Sequence, residues 1–263
     1  MKTLNQTTTA IKLFAGLFLI YFLNSCAPCY YAPSAQNVPL LQEKKDFRAS
    51  GSFKLGGYTM GCDFQGAVAA TNHLGIMLNY SYFTGRKSLI DETKLSDSKS
   101  NMIEFGLGYY TPLSDKFVFE TYGGYGTANI KTSHDSYLEY KGSTVHSWSL
   151  FIQPTIGMHK KNVELAYSTR LRMLDINRVE FDNYTNGQPD EDLTDLESLP
   201  MSYFMEPAFT FRVGGEYVKY QMQVGFAFPL SNPGNLEFDP FNVNFGLIFS
   251  LPGKKKAEPE KAF

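Results

Sequence analysis

Histidine, serine and carboxylate side chains brought together can carry out nucleophilic hydrolysis, and one stretch of this 263-residue chain offers them. His146, Ser147 and Ser149 fall side by side, with Glu164 further on. A nucleophile and its base must approach to about 3 Å. The surrounding residues alternate in polarity, which puts His146 on one face with Trp148 and both serines on the other. The base therefore points away from the nucleophiles, and no catalytic residue is expected. The remaining histidines, His73, His134 and His159, make no His-x-x-His or other metal spacing. The expectation is a chain that is not an enzyme and holds neither metal nor cofactor.

The alternation that separates these groups runs through most of the chain and is the mark of strands with two unlike faces. It predicts ten strands, at about 47–56, 60–70, 74–84, 100–111, 117–130, 144–158, 162–175, 201–213, 217–228 and 241–251. Most reach the ~9–11 residues a tilted membrane strand needs. The connections alternate as well. Thr71–His73, Pro112–Lys116, His159–Lys161 and Gly214–Glu216 are short, whereas Gly85–Lys99, Lys131–Ser143, Ile176–Pro200 and Pro229–Pro240 are long; Gly57–Thr59 alone breaks the rule. Membrane barrels have short turns at one end and long loops at the other. The predicted fold class is all-β, an antiparallel up-and-down transmembrane β-barrel of ten strands, with eight or twelve as alternatives.

One face of these strands is greasy, for example Val218, Tyr220, Met222, Val224, Phe226 and Phe228, or Phe241, Val243, Phe245, Leu247, Phe249 and Leu251. Pro154 falls on this face and, lacking a ladder donor, predicts a local bulge. The opposite face carries Arg48, Lys54, Asp63, Glu104, Glu120, Glu164, Arg170, Arg172, Glu206, Arg212 and Lys219, together with Gln65, Gln221, Gln223, Asn242 and Asn244. Six of the charges are basic and five acidic. In a confined lumen such balance predicts a structural network of ion pairs, because an unpaired buried charge is costly. A lined pore or ligand cavity is the functional alternative. Aromatic residues reach 15% against 19% charged, which suits an outer wall facing lipid between aromatic girdles. The net charge of −2 gives no field for nucleic acid.

Residues 1–25 read as a secretory signal, with Lys2 and Lys12 beside an apolar run from Ile11 to Leu23 that is too short to span a membrane. Leu23-Asn24-Ser25-Cys26 resembles the lipobox of bacterial lipoproteins, which implies diacylation of Cys26 and a new N-terminus there. Cys29 and Cys62 remain, expected as two unpaired thiols, with a mutual disulfide as the alternative. Residues 26–46, with Pro28, Pro33 and Pro39, are expected as an extended periplasmic leader, 47–251 as the barrel, and 252–263 as a disordered periplasmic tail. Glu180, Asp182, Asp190, Glu191, Asp192, Asp195 and Glu197 make an acidic outer loop without a calcium-loop pattern. It reads as a solvated surface loop, or one that divalent cations bridge to lipopolysaccharide phosphates.

The lipobox, the leader motifs Cys29-Tyr30-Tyr31-Ala32-Pro33 and Asn37-Val38-Pro39-Leu40, and strands such as Glu120-Thr121-Tyr122-Gly123-Gly124-Tyr125-Gly126 together resemble uncharacterised outer-membrane β-barrel lipoproteins of the Bacteroidota type. The resemblance implies fold and a place in the bacterial outer membrane, and brings no activity. The expected role is non-enzymatic, structural or surface-interacting, with both termini periplasmic and outer-membrane lipids and lipopolysaccharide as partners. A small transport or ligand-binding barrel is one alternative, and a lipid-tethered soluble barrel or sandwich with its apolar face inward is another.

Overall fold

Strands with one greasy and one polar face leave unpaired edges unless the sheet closes on itself. Here it closes. The computed structural model describes residues 29–86, 95–136, 139–182, 196, 198–231, 234 and 236–253. The wall is built from β1 (Phe47–Gly56), β2 (Thr59–Ala69), β3 (Leu74–Arg86), β4 (Leu95–Pro112), β5 (Phe117–Ser136), β6 (Glu139–His159), β7 (Val163–Asp182), β8 (Ser202–Gly214), β9 (Val218–Phe226) and β11 (Phe241–Leu251). Between the last two, β10 (Phe228–Pro229) is a two-residue return against β8. Each wall strand pairs antiparallel with the next, β9 with β11, and β11 with β1 from Phe47↔Leu251 to Gly56↔Asn242. The result is a closed antiparallel barrel of ten wall strands. The sandwich alternative falls with that closure, because no second sheet exists among the described residues.

The predicted strands are all present, but β4 to β7 run further than their apolar faces suggested. β5 continues to Ser136 and β6 begins at Glu139, so most of the expected Lys131–Ser143 loop is paired hairpin. Polar residues carry this extension, as in the Thr132 and Ser143 hydroxyls 2.5 Å apart. Such strand leaves no hydrophobic trace and reads as loop. The predicted bulge is also displaced. Pairing on either side of Pro154 keeps one register, and the shift falls between His146 and Ser147. The proline costs a ladder bond without changing the residue count, so nothing there requires an extra residue.

The apolar face points outward. Phe53, Phe64, Leu78, Ile103, Phe105, Leu107, Leu150, Ile152, Phe209 and Tyr220 are all exposed on the wall. A contiguous belt of this kind is far beyond the apolar patches a water-soluble monomer shows, and lipid is the solvent that suits it. The soluble alternative with its apolar face turned inward is thereby corrected. Cys62 belongs to the outer wall, opposite Phe53 and Tyr82, while Cys29 is buried inside; both are free thiols.

In lipid vesicles, Phe105→Arg, in the middle of the row Ile103, Phe105, Leu107 and Tyr109, is expected to destabilise the barrel by about 2–4 kcal/mol. Denaturant unfolding against the wild type measures it, and an unchanged midpoint would remove lipid from that face.

Candidate functional site

All eleven predicted lumen charges face inward and are buried. Eight of them form two ion-paired groups, and Lys54, Asp63 and Glu120 stand outside both. Toward the long-loop end, Arg172 lies 2.6 Å from Glu104 and 3.0 Å from Glu206, and Arg170 lies 3.4 Å from Glu104 and 3.9 Å from Glu206. The Phe151 ring sits under both guanidinium groups, at 4.9 and 5.6 Å. Toward the short-turn end, Glu164 gathers Arg48 at 2.9 Å, Arg212 at 3.0 Å, Lys219 at 3.1 Å and His159 at 2.8 Å. β7 supplies Glu164, Arg170 and Arg172 from one inward row, so a single strand crosses both groups.

The wall alone does not fill the lumen. Residues 29–41, expected as a leader outside the barrel, run extended through its interior and are almost wholly buried. That expectation is corrected, and the reason lies in hydrogen bonding. An extended segment with no strand beside it must still satisfy its backbone. Three wall glutamines do this for three successive carbonyls: Gln65 donates to Ala35 O at 2.6 Å, Gln223 to Gln36 O at 2.9 Å and Gln153 to Asn37 O at 2.7 Å. Gln223 also accepts from Gln36 N at 2.7 Å, and Lys54 donates to Pro33 O at 3.2 Å. Side chains join the charge network, with Arg170 donating to Ser34 Oγ at 2.9 Å and the Tyr31 hydroxyl to Glu206.

The segment is clipped at both ends. At the long-loop end, Tyr30 N and Tyr31 N donate to Glu237 O at 2.8 and 3.3 Å, and Asp239 N donates to Tyr31 O at 2.8 Å. The Asp239 carboxylate meanwhile accepts from Gly57 N at 2.9 Å and Thr59 Oγ1 at 2.6 Å, capping the β1–β2 hairpin. At the other end, Asp46 accepts from Gln42 N and Glu43 N at 2.8 and 3.0 Å and from Gly253 N at 2.6 Å. One carboxylate thus holds the end of the segment, the start of β1 and the residues after β11. Leu40 has φ 49°, a left-handed conformation that costs a residue with a side chain roughly 1–2 kcal/mol. It is held there by its N–H donating to Glu120 at 3.2 Å and by packing on Val118 and Ala166. A Cβ on Gly157 would come within 2.3 Å of the Leu40 side chain, so the wall leaves that seat open by having none.

The inner face is less polar than expected. Tyr30 and Tyr31 pack with Ile130, Val145, Leu174 and Phe204, and Leu41 with Ala69 and Tyr110. The space left beside Tyr31 and Ala32 is about 10 Å³, room for one water at most. Below, an open vestibule of about 580 Å³ lies at the short-turn end, lined by Asp46, Arg48, Lys116, His159 and Lys219 among others.

The residues considered for hydrolysis are kept apart by the wall. His146 lies on the outer side with its Nδ1 2.7 Å from Asn129 and its Nε2 3.7 Å from Glu180, whereas Ser149 Oγ accepts from Arg172 at 2.6 Å inside. Among the described residues no cluster of three metal-ligating side chains occurs. Asp190, Glu191, Asp192, Asp195 and Glu197 of the acidic loop lie outside the described residues, as do residues 1–28, where the signal is expected, and the expected tail from residue 254. Sequence reasoning missed Asp46, Asp239, Gln153 and the segment itself. The available signal was that residues 26–42 contain no charge, which is unusual for a solvated linker.

No protein-family model matches the sequence, and no curated protein sequence matches it. Among solved structures, the chain is similar to the translocator domain of the autotransporter NalP from Neisseria meningitidis, at 9% identity over 93% of this chain and 97% of that one, with a TM-score of 0.49. It is similar to the NanC porin at 11% identity over 78% and 100%, TM-score 0.31, and to the outer membrane protein OprD from Pseudomonas aeruginosa at 6% over 81% and 97%, TM-score 0.29. These are likenesses of form, and the fold rests on the strand ladder itself.

Glu164→Ala is expected to destabilise the barrel by about 3–5 kcal/mol, since it strands three buried cations. Glu120→Gln keeps an acceptor for Leu40 N and should change stability by less than about 1 kcal/mol. Unfolding midpoints in one detergent decide between a paired network and isolated contacts.

Proposed function

We propose that the protein is an outer-membrane β-barrel lipoprotein, anchored by its apolar belt and by lipid on Cys26, with a non-enzymatic structural or surface-interaction role. The observation that carries this reading is the filled lumen. Two charge groups and a segment of the same chain occupy the interior, and the gap left beside Tyr31 and Ala32 amounts to about one water. A barrel so sealed has its ends and long loops as working surfaces. The belt supports a membrane location, because only closed barrels and helices satisfy their backbones in lipid. Short turns at one end and longer connections at the other fit the outer membrane, with the long loops outside and lipopolysaccharide within their reach.

The vestibule at the short-turn end favours a second reading. It opens onto Arg48, His159 and Lys219, and a small solute held there would make the chain a binding barrel. A transport reading further requires the segment to leave the lumen, against its hydrogen bonds at Ala35, Gln36 and Asn37.

Planar-bilayer recording separates these readings. The full chain is expected to stay silent, and a variant with residues 32–40 replaced by glycine and serine to show discrete conductance steps. Steps from the unaltered chain would count against the sealed scaffold and for transport.

A further inference from the structure

The segment enters the lumen from the long-loop end. Cys29 and Tyr31 lie at the long-loop end, beside Phe83, Glu237 and Asp239, and the chain reaches the short-turn end at Leu41, beside Ala69 and Tyr110, and stays there to Asp46. Pro252 and Gly253, after β11, lie at that same short-turn end against Asp46. The two ends of the described chain therefore leave the barrel on opposite sides, which departs from the expectation that both termini share the periplasm. We propose that Cys26 stands on the long-loop, cell-exterior side, with its acyl chains in the outer leaflet, so that the barrel carries its own lipidated N-terminus through its lumen to the surface. This rests on the lipoprotein reading above.

Reach decides the matter. Cys26 lies three residues before Cys29, a stretch that spans at most about 11 Å. An apolar band is about 25 Å tall. Cys26 cannot return to the far side outside the wall, and the lumen beside residues 29–41 is already filled.

The rim at this point is suited to an acyl group. The β1–β2 hairpin turns after Gly56 and resumes at Thr59, while β5 and β6 extend to Ser136 and from Glu139 at the same end. The wall strands are thus much shorter here than at the β5–β6 hairpin, and here Asp239 joins the segment to the β1–β2 hairpin. Phe53, Leu55 and Met60 sit on the outside of the hairpin, and Phe53 is 76% exposed. The chemistry is that of a thioether: Cys26 Sγ loses its proton and bonds the diacylglyceryl carbon of a phospholipid, whose phosphate headgroup leaves with that proton. Water then cleaves the Ser25–Cys26 peptide.

The test uses the full chain in a bacterium with an outer membrane, carrying an epitope after Ala27 and a second epitope at the C-terminus. Acylation is read by incorporation of an alkyne fatty acid, with Cys26→Ser as the control. Surface exposure is read by antibody on intact and on permeabilised cells. The proposal expects acylated protein, the Ala27 epitope labelled equally in both, and the C-terminal epitope labelled only after permeabilisation. Acylation with an Ala27 epitope hidden until permeabilisation overturns the proposal and leaves the lipoprotein reading standing. A surface epitope without acylation overturns the lipoprotein reading and its lipid, and leaves the threading intact. Should the epitope prevent assembly, as read by loss of heat-modifiable migration, Ala27→Cys in a Cys29→Ser, Cys62→Ser background probed with a membrane-impermeant maleimide gives the same readout.

Discussion

A ten-strand barrel encloses a lumen wider than the eight-strand case that wall side chains fill alone. Polar groups in that lumen are cut off from bulk water and must find partners within the protein. The rest of the structure follows from this constraint. Arg170 and Arg172 reach across the bore to Glu104 and sideways to Glu206 on the neighbouring strand, and Arg48, Arg212 and Lys219 converge on Glu164. What the wall leaves over, chiefly the amides of Gln65, Gln153 and Gln223, is satisfied by the backbone of residues 35–37. The segment in turn has no other place to satisfy its own carbonyls and bury Val38, Leu40 and Leu41, each worth roughly 1.5–3 kcal/mol on burial. Wall and segment complete one another.

This mutual dependence explains the placement of the two clips. Asp239 and Asp46 each tie the segment to a corner where strands begin or end, so neither end of the segment can lift without loosening β1. The strained Leu40 sits between them, where Gly157 leaves space for its side chain. Strain held at such a point is consistent with a fixed plug, because a mobile one would relax it. The apolar layer of Tyr31, Phe204 and Leu174 covers the charge groups toward the long-loop end and keeps them from solvent.

Much of the wall was legible in the sequence. The period-2 alternation gave the faces, and the inward parity of Arg48, Glu104, Glu164 and Arg172 followed from it, since a strand side chain has only two directions to take. The extensions of β5 and β6 were not legible, because Thr132 and Ser143 carry no hydrophobic trace, and that of β7 was hidden because the register shift opposite Ile176 and Arg178 breaks the alternation before Val179. The segment was misplaced for a related reason. Three prolines and no period read as a linker, while its partners Gln65, Gln153 and Gln223 lie on three separate strands far along the chain. The motifs around Tyr30-Tyr31 and Asn37-Val38-Pro39-Leu40 are seated inside the lumen.

By itself the sequence determined which residues face lipid and which face inward, and that the inward charges balance. Both are local properties, set by strand geometry and composition. Only the tertiary structure decided which charges meet, that the lumen needs one more strand of backbone to be satisfied, and that residues 29–41 supply it from the long-loop end. Those are closure effects. They depend on the bore of a ring whose first and last strands, β1 and β11, lie at opposite ends of the barrel sequence, and no window along the chain contains them.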